Sequence, residues 1–268
     1  MQSTSVYAQP QNISNVDQCY FYHTMEIPGH GIVKGEWDLR KDVGRYLGNI
    51  DLRGKRVLEI GTASGFLCFE MENAGAQVVA YDLSDAYPWD IVPFARFGPD
   101  KLNEQIAERK AHIRKLNNGW WFAHKAHGSK AKVVYGTVYD IPREIGQVDI
   151  ATFCSVLLHV RDPFLALYNG LSQTRERVVI AEKVRGRRWL FEATRRLGLP
   201  YMSFLPDHAT CKPLETWWSL SPDVLRKMIR VLGFERTQTT FYELETNRGK
   251  ELFFTLIGER IAGPIEAA

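Results

Sequence analysis

The chain has 268 residues, 45% of them apolar, and a formal net charge of +3, which suits one α/β domain with a buried core and does not by itself point to a polyanionic partner. It contains no run of about 20 apolar residues, so no membrane-spanning helix is expected. Its four cysteines, Cys19, Cys68, Cys154 and Cys211, have neither metal-binding nor disulfide-ladder spacing, the usage of reduced thiols in a cytoplasmic protein.

Met1 to Val16 is polar, lacks the apolar stretch of a signal peptide and is expected to be a mobile tail. Residues 1–50 as a whole read as a tail and lid segment ahead of a domain over 51–268. Val57 to Ile60 reads as a buried strand, followed by a glycine turn and a helix from Phe66. A second apolar strand, Gln77 to Tyr81, ends in Asp82. An insert over 84–130 follows; Leu102, Ile106, Ile113 and Leu116 recur among charges and predict a helix over Asp100 to Phe122. Lys132 to Val138 and Val148 to Cys154 read as the next strands. Asp162-Pro163 supplies an N-cap and a first-turn proline for a helix through Leu171. Val178 to Glu182 is another strand, and a connection over 185–220 leads to a helix opened by Ser221-Pro222-Asp223 and closed by Gly233. Two β-rich runs, Phe234 to Leu244 and Leu252 to Ile257, flank the turn-like Thr246-Asn247-Arg248-Gly249. Parallel units followed by a late hairpin predict an α/β, doubly wound, mostly parallel sheet with one antiparallel strand.

The densest chemical signal is Glu59-Ile60-Gly61-Thr62-Ala63-Ser64-Gly65, between the first strand and its helix. Glycines there let backbone approach a ligand, and the helix aims free N–H groups at it. Asp82, about twenty residues on, can accept both hydroxyls of a ribose. The pair implies a nucleoside cofactor. The spacing lacks the middle glycine of a dinucleotide fingerprint and the lysine of a phosphate loop. Glu59 would repel a phosphate but attract a sulfonium or an amino-acid ammonium.

This turn resembles motif I of the class I S-adenosylmethionine (AdoMet) methyltransferases, and the order of elements is similar to their Rossmann-like seven-stranded sheet with its late antiparallel hairpin. The resemblance implies AdoMet as cofactor. It implies that Gly61 and Gly65 border the methionine part together with Glu59, Thr62 and Ala63, that Asp82 holds the ribose, and that Leu83 lies beside the adenine. Gly136-Thr137-Val138-Tyr139-Asp140-Ile141-Pro142 resembles the family segment that contacts the adenine edge, with Thr137 where many members have aspartate and Val138 offering a backbone N–H. Cys154 and Ser155 fall on the same rim. A narrower resemblance runs through Phe21 to Pro28, Gly31 to Trp37 and Ser155 to Pro163. It is to the branch of tRNA wobble-uridine (carboxy)methyltransferases and related bacterial small-molecule methyltransferases. In that branch the segment before motif I folds over the methionine end, which implies roles for Lys34 and Trp37. The tRNA enzymes carry Tyr-His where this chain has Leu158-His159; leucine cannot hydrogen-bond the extra carboxylate of carboxy-AdoMet, so plain AdoMet is expected.

Methyl transfer to a hydroxyl requires in-line positioning and a base. His159, after the fourth strand, and His208, in the connection before the last helix, are the candidates. No cluster of oxygen ligands declares a metal. Tyr22, Trp217 and Trp218 are candidate substrate contacts, and Trp120-Trp121 more simply staple the insert onto the core. Two adjacent tryptophans cannot share one helix face, so one of each pair is expected to point elsewhere. The reading is AdoMet-dependent methyl transfer to a small molecule, oxygen favoured and nitrogen open. A tRNA-modifying methyltransferase and a non-catalytic AdoMet-binding protein are the alternatives, and the apolar lid residues could equally form a homodimer contact. The basic cluster of Lys183, Arg185, Arg187, Arg188, Arg195 and Arg196 reads as a solvated face, which is why nucleic acid is not favoured.

Overall fold

In a computed structural model that describes residues 5–87, 89–185, 188–246, 249–261 and 263, with the side chains of 188–190 excluded, one sheet organises the chain. Its strands are β3 (Arg56–Ile60), β4 (Gln77–Asp82), β5 (Lys132–Tyr135), β6 (Val148–Cys154), β7 (Thr174–Lys183), β10 (Arg236–Thr246) and β11 (Gly249–Glu259). They lie in the order β10-β11-β7-β6-β3-β4-β5. β3 to β7 are mutually parallel; β11 runs antiparallel to β7 and to β10. The predicted seven-stranded, mostly parallel sheet with a late hairpin is therefore the observed fold. Asn247 and Arg248 of the expected hairpin turn, and Arg187 of the basic cluster, lie outside the described residues.

Alternation along each strand builds two cores. Val57, Ala80, Val133, Ile150, Val179 and Phe253 face one layer, while Leu58, Val79, Val134, Ala151, Ile180 and Phe254 face the other. The second layer holds α4 (Pro163–Ser172) and α6 (Pro222–Val231). Their N-caps are those expected: Asp162 accepts from Leu165 N at 2.9 Å, and Ser221 from Val224 N at 3.2 Å. The first layer holds α1 (Val43–Tyr46), α2 (Phe66–Asn73) and the end of α3 (Pro99–His127).

Four features differ from expectation. α3 runs five residues past Phe122, to His127, where Gly128 caps it at φ 60°. Trp120 and Trp121 are both buried, because the helix end is enclosed on two sides at once; Trp120 packs on Phe69 at 6.0 Å and meets Trp121 edge-on at 4.7 Å. The N-terminal tail is tied down from about Tyr7: Ala8 N donates to Val133 O on the edge strand β5 at 2.9 Å, and Lys125 Nζ donates to Asn12. Two short hairpins were also not read: β1 (Met25–Ile27) with β2 (Gly31–Val33), and β8 (Met202–Phe204) with β9 (Trp218–Leu220). The remaining helix, α5 (Arg188–Arg196), lies in the long connection after β7.

Candidate active site

The sheet starts at β3, runs outward through β4 and β5, then returns to place β6 on the other side of β3. That reversal leaves a gap beyond the carboxyl ends of β3 and β6, where ligands of open α/β sheets bind. A crevice of about 870 Å³ occupies it. Three residues lining it hold left-handed backbone without being glycine: Ala63 after β3 (φ 49°), Ser155 after β6 (φ 55°) and Cys211 (φ 52°). Such strain is kept only where the surroundings dictate it. Ala63 N donates to Asp82 Oδ2 at 2.6 Å, and Ser155 Oγ meets Tyr46 Oη at 2.9 Å.

Asp82 closes β4. Its Oδ1 accepts from Leu83 N at 2.7 Å, so each carboxylate oxygen has one backbone donor and one acceptor site left. Two free acceptor sites side by side are what a ribose diol needs. Burial pushes its carboxyl up to about 6, against the pull of those two N–H groups. Gly61, Thr62, Ala63, Leu83, Thr137 and Val138 line the same end of the crevice. Gly61 is required by the protein itself: at φ 81°, a Cβ there would lie 2.3 Å from Val156 Cγ2.

Tyr22 and Trp37 form the crevice wall contributed by the N-terminal segment. Tyr22 N donates to Ser64 Oγ at 3.0 Å, which pins that segment to the glycine turn; Glu36 N and Trp37 N both donate to Tyr22 O. Cys154 and Ser155 complete the floor.

His159 lines the same crevice, from a 3₁₀ turn over Leu157–His159. Its Nδ1 stands 2.6 Å from the carbonyl oxygen of Glu215, which can only accept; Nδ1 therefore carries the proton and Nε2 keeps a lone pair. Burial holds its pKa below the ordinary histidine value. The turn is anchored from below: Leu157 N donates to the buried Glu182 carboxylate at 3.1 Å.

Several predicted residues are not brought to the crevice. Lys34 is exposed beyond β2, and His208 is exposed on its loop, although Thr210 and Cys211 from that loop do line the crevice. Gly65 packs beneath, where a Cβ would lie 2.6 Å from Phe69. Glu59 is sealed under the floor with neither oxygen hydrogen-bonded, and burial pushes it up to about 8. Trp217 is buried and donates to Asp90 O at 2.7 Å, and Trp218 donates to Arg161 O at 3.2 Å; both brace the cover.

The crevice also contains residues that motif reading passed over. Trp89 stacks near-parallel to His159 at 6.5 Å and meets His112 at 5.5 Å. Lys101, Gln105 and Arg109 follow one another along the crevice face of α3, a spacing of four that the sequence does show. His23 lies in the wall, buried, with Nδ1 unpartnered, and burial lowers it to about 4. No group of three or more histidine, cysteine, aspartate or glutamate side chains among the described residues could hold a metal ion. None of the described helices is long and apolar enough to cross a membrane, and all four cysteines are unpaired.

A family model described as a methyltransferase domain matches residues 36–238. Among solved structures, the chain is similar to the N-terminal domain of EvdMO1, determined with S-adenosylhomocysteine (SAH) and D-fucose: 12% identity over 92% of this chain and 93% of that one, TM-score 0.56. It also aligns with magnesium protoporphyrin IX methyltransferase from Synechocystis PCC 6803 with bound SAH, at 17% identity over 83% of this chain and 82% of that one, TM-score 0.48. A third is the 1,6-didemethyltoxoflavin-N1-methyltransferase of Burkholderia thailandensis, at 12% identity over 84% of this chain and 78% of that one, TM-score 0.48. Among curated protein sequences, none matches the chain.

Proposed function

The chain belongs to the class I AdoMet-dependent methyltransferases, and we propose that it methylates a hydroxyl group of a small molecule, with His159 as general base. AdoMet is the family's cofactor, and the residues fit it. Asp82 offers a diol two acceptor sites, and Leu83, Thr137 and Val138 form an apolar and backbone-polar wall beside it. When bound, AdoMet supplies an electrophilic methyl group on a sulfonium. Tyr22 and Trp37 cover the methionine end, and Gly61 to Ala63 orient it.

The observation that carries the oxygen acceptor is the hydrogen bond from His159 Nδ1 to Glu215 O. It fixes a neutral ring whose Nε2 can take a proton from a hydroxyl as the oxygen attacks, whereas a neutral amine would need no base. Leu158, buried where the wobble-uridine enzymes carry tyrosine, supports plain AdoMet over a carboxylated form.

The test is transfer of labelled methyl from AdoMet to matched phenols, alcohols and amines, and to bulk tRNA, by wild type and His159→Gln. Phenol or alcohol methylation that collapses in His159→Gln supports the reading. Transfer to tRNA with a steep salt dependence would replace it with RNA modification. Tight AdoMet binding without turnover on any acceptor would make the chain a binding protein.

A further inference from the structure

Resting on the small-molecule reading, we infer that the acceptor carries an oxyanion, a carboxylate or a phosphate, held by Arg109 with Lys101 and Lys212. α3 changes character along its crevice face. Leu116 and Ile113, near the cofactor end, are apolar; His112, Arg109, Gln105 and Lys101, successively farther out, are polar or cationic. At about 1.5 Å per residue, that face extends roughly 20 Å from the cofactor end.

The charges in the crevice are unevenly satisfied. Every carboxylate there has protein donors or a cation. Tyr20 donates to Glu36, Tyr139 and Arg161 N donate to Asp90, Lys183 pairs with Glu251, and Asp82 takes two backbone N–H groups. Glu215 alone faces Arg109, at 3.7 Å, the loose limit of an ion pair. Arg109 Nε is buried with no partner, a costly state for a guanidinium donor. Lys101 meets only the Phe97 ring, at 4.6 Å, and Lys212 lines the crevice without an ion pair among the described residues. Gln105 donates to Glu108, off the crevice. Three cations against one loosely held carboxylate leave an excess of positive charge aimed at the acceptor space.

Trp89 joins this site to the base. The Arg109 guanidinium sits 5.8 Å from the Trp89 ring centre, and His159 stacks near-parallel to the same ring. A guanidinium and a base gathered around one indole fit a compact molecule bearing both an anion and a hydroxyl. Arginine is also the residue whose fork matches carboxylate and phosphate geometry.

The test is calorimetric titration of the SAH-saturated protein with benzoate, phenyl phosphate and, as neutral twin, benzamide. At least one anion binds, benzamide does not, and Arg109→Gln weakens the anion at least about tenfold. Lys101→Gln, on an exposed position, weakens it less, and Arg114→Gln, which pairs with Asp85 outside the crevice, leaves it unchanged. Retained SAH binding shows that each variant is folded. Failure of both anions to bind wild type, equal binding of benzamide, or unchanged binding in Arg109→Gln overturns the site. If any of these occurs while a neutral phenol is methylated, the proposed function stands and the anion site alone falls. Anions that bind while methyl goes only to tRNA would sink the proposed function instead. Which anion binds tells carboxylate from phosphate.

Discussion

His159 and Glu215 are joined through the backbone of one and the ring of the other: Nδ1 donates to the Glu215 carbonyl at 2.6 Å. The connection that covers the crevice therefore also sets the tautomer of the histidine beneath it. Removing the ring removes the proposed base, while the end of the crevice built on β3 and β4 is left alone.

His159→Ala is expected to lower turnover on a hydroxyl acceptor by roughly 10²–10⁴-fold with AdoMet affinity nearly unchanged. The base works only when neutral, and burial holds its pKa below the ordinary histidine value. Activity should thus persist at pH values where a free imidazole is already protonated, and the acid limb of the rate profile should lie below about 6.5. A limb above that value, or intact turnover in the variant at saturating AdoMet, would remove His159 from the chemistry.

Asp82 makes a different prediction, confined to binding. Asp82→Asn keeps the shape and removes the charge, and should weaken AdoMet by roughly 10–100-fold, the worth of hydrogen bonds to a charged acceptor. Since burial places the carboxyl at about 6 in the free protein, wild-type affinity should fall as pH drops through that value. Calorimetry at pH 5 and pH 7.5 checks both statements; a pH-independent affinity would mean the diol does not sit on this carboxylate.

The fold was legible because its signals are local. A buried run such as Val57 to Ile60, a cap such as Asp162 and a glycine such as Gly61 each announce themselves within a few residues, and so does an acid at the end of a strand. The floor of the cofactor end was legible for the same reason. The acceptor end was not. Trp89 meets His159, and Arg109 meets Glu215, only because a 29-residue helix and two long covers fold over one another. Trp217 and Trp218 misdirect for a related reason: adjacent indoles suggest a pocket, yet each spends its N–H on a backbone carbonyl of the cover. Glu59 was read as bordering the ligand, and sequence could not show that it lies under the floor instead.

Glu59 and Glu182 link stability to pH in the opposite sense to most carboxylates. Burial raises both to about 8 in the folded chain, against roughly 4.3 when unfolded. Between those values the folded state holds protons that the unfolded state has released, so their contribution falls as pH rises and is lost above about 8. The ligand-free protein should gain more from Glu59→Gln at pH 8.5 than at pH 5.5, read as the change in Tm at each pH. AdoMet affinity should change little in Glu59→Gln, because Glu59 lies beneath the floor and does not line the crevice. A variant equally stabilised, or destabilised, at both pH values would show that Glu59 is not a strained buried acid.

Trp217 and Trp89 separate bracing from recognition. Trp217 is buried, its ring packs near Phe204, and its indole N–H holds Asp90 O at 2.7 Å. Trp217→Ala opens a cavity and orphans that carbonyl, and should cost about 3–5 kcal/mol of stability. Whatever protein folds should still bind AdoMet. Trp89 is half-buried in the crevice, against His159, His112 and Arg109. Trp89→Ala should leave Tm within a few degrees but raise the acceptor KM by roughly tenfold or more, since an aromatic wall contributes to binding in the ground state and the transition state alike. The cleanest comparison is Tm and acceptor KM for both variants side by side. If Trp217→Ala instead changed KM at unchanged Tm, the covering connection would have to touch substrate directly. If Trp89→Ala instead lost stability and kept KM, the acceptor would bind elsewhere in the crevice.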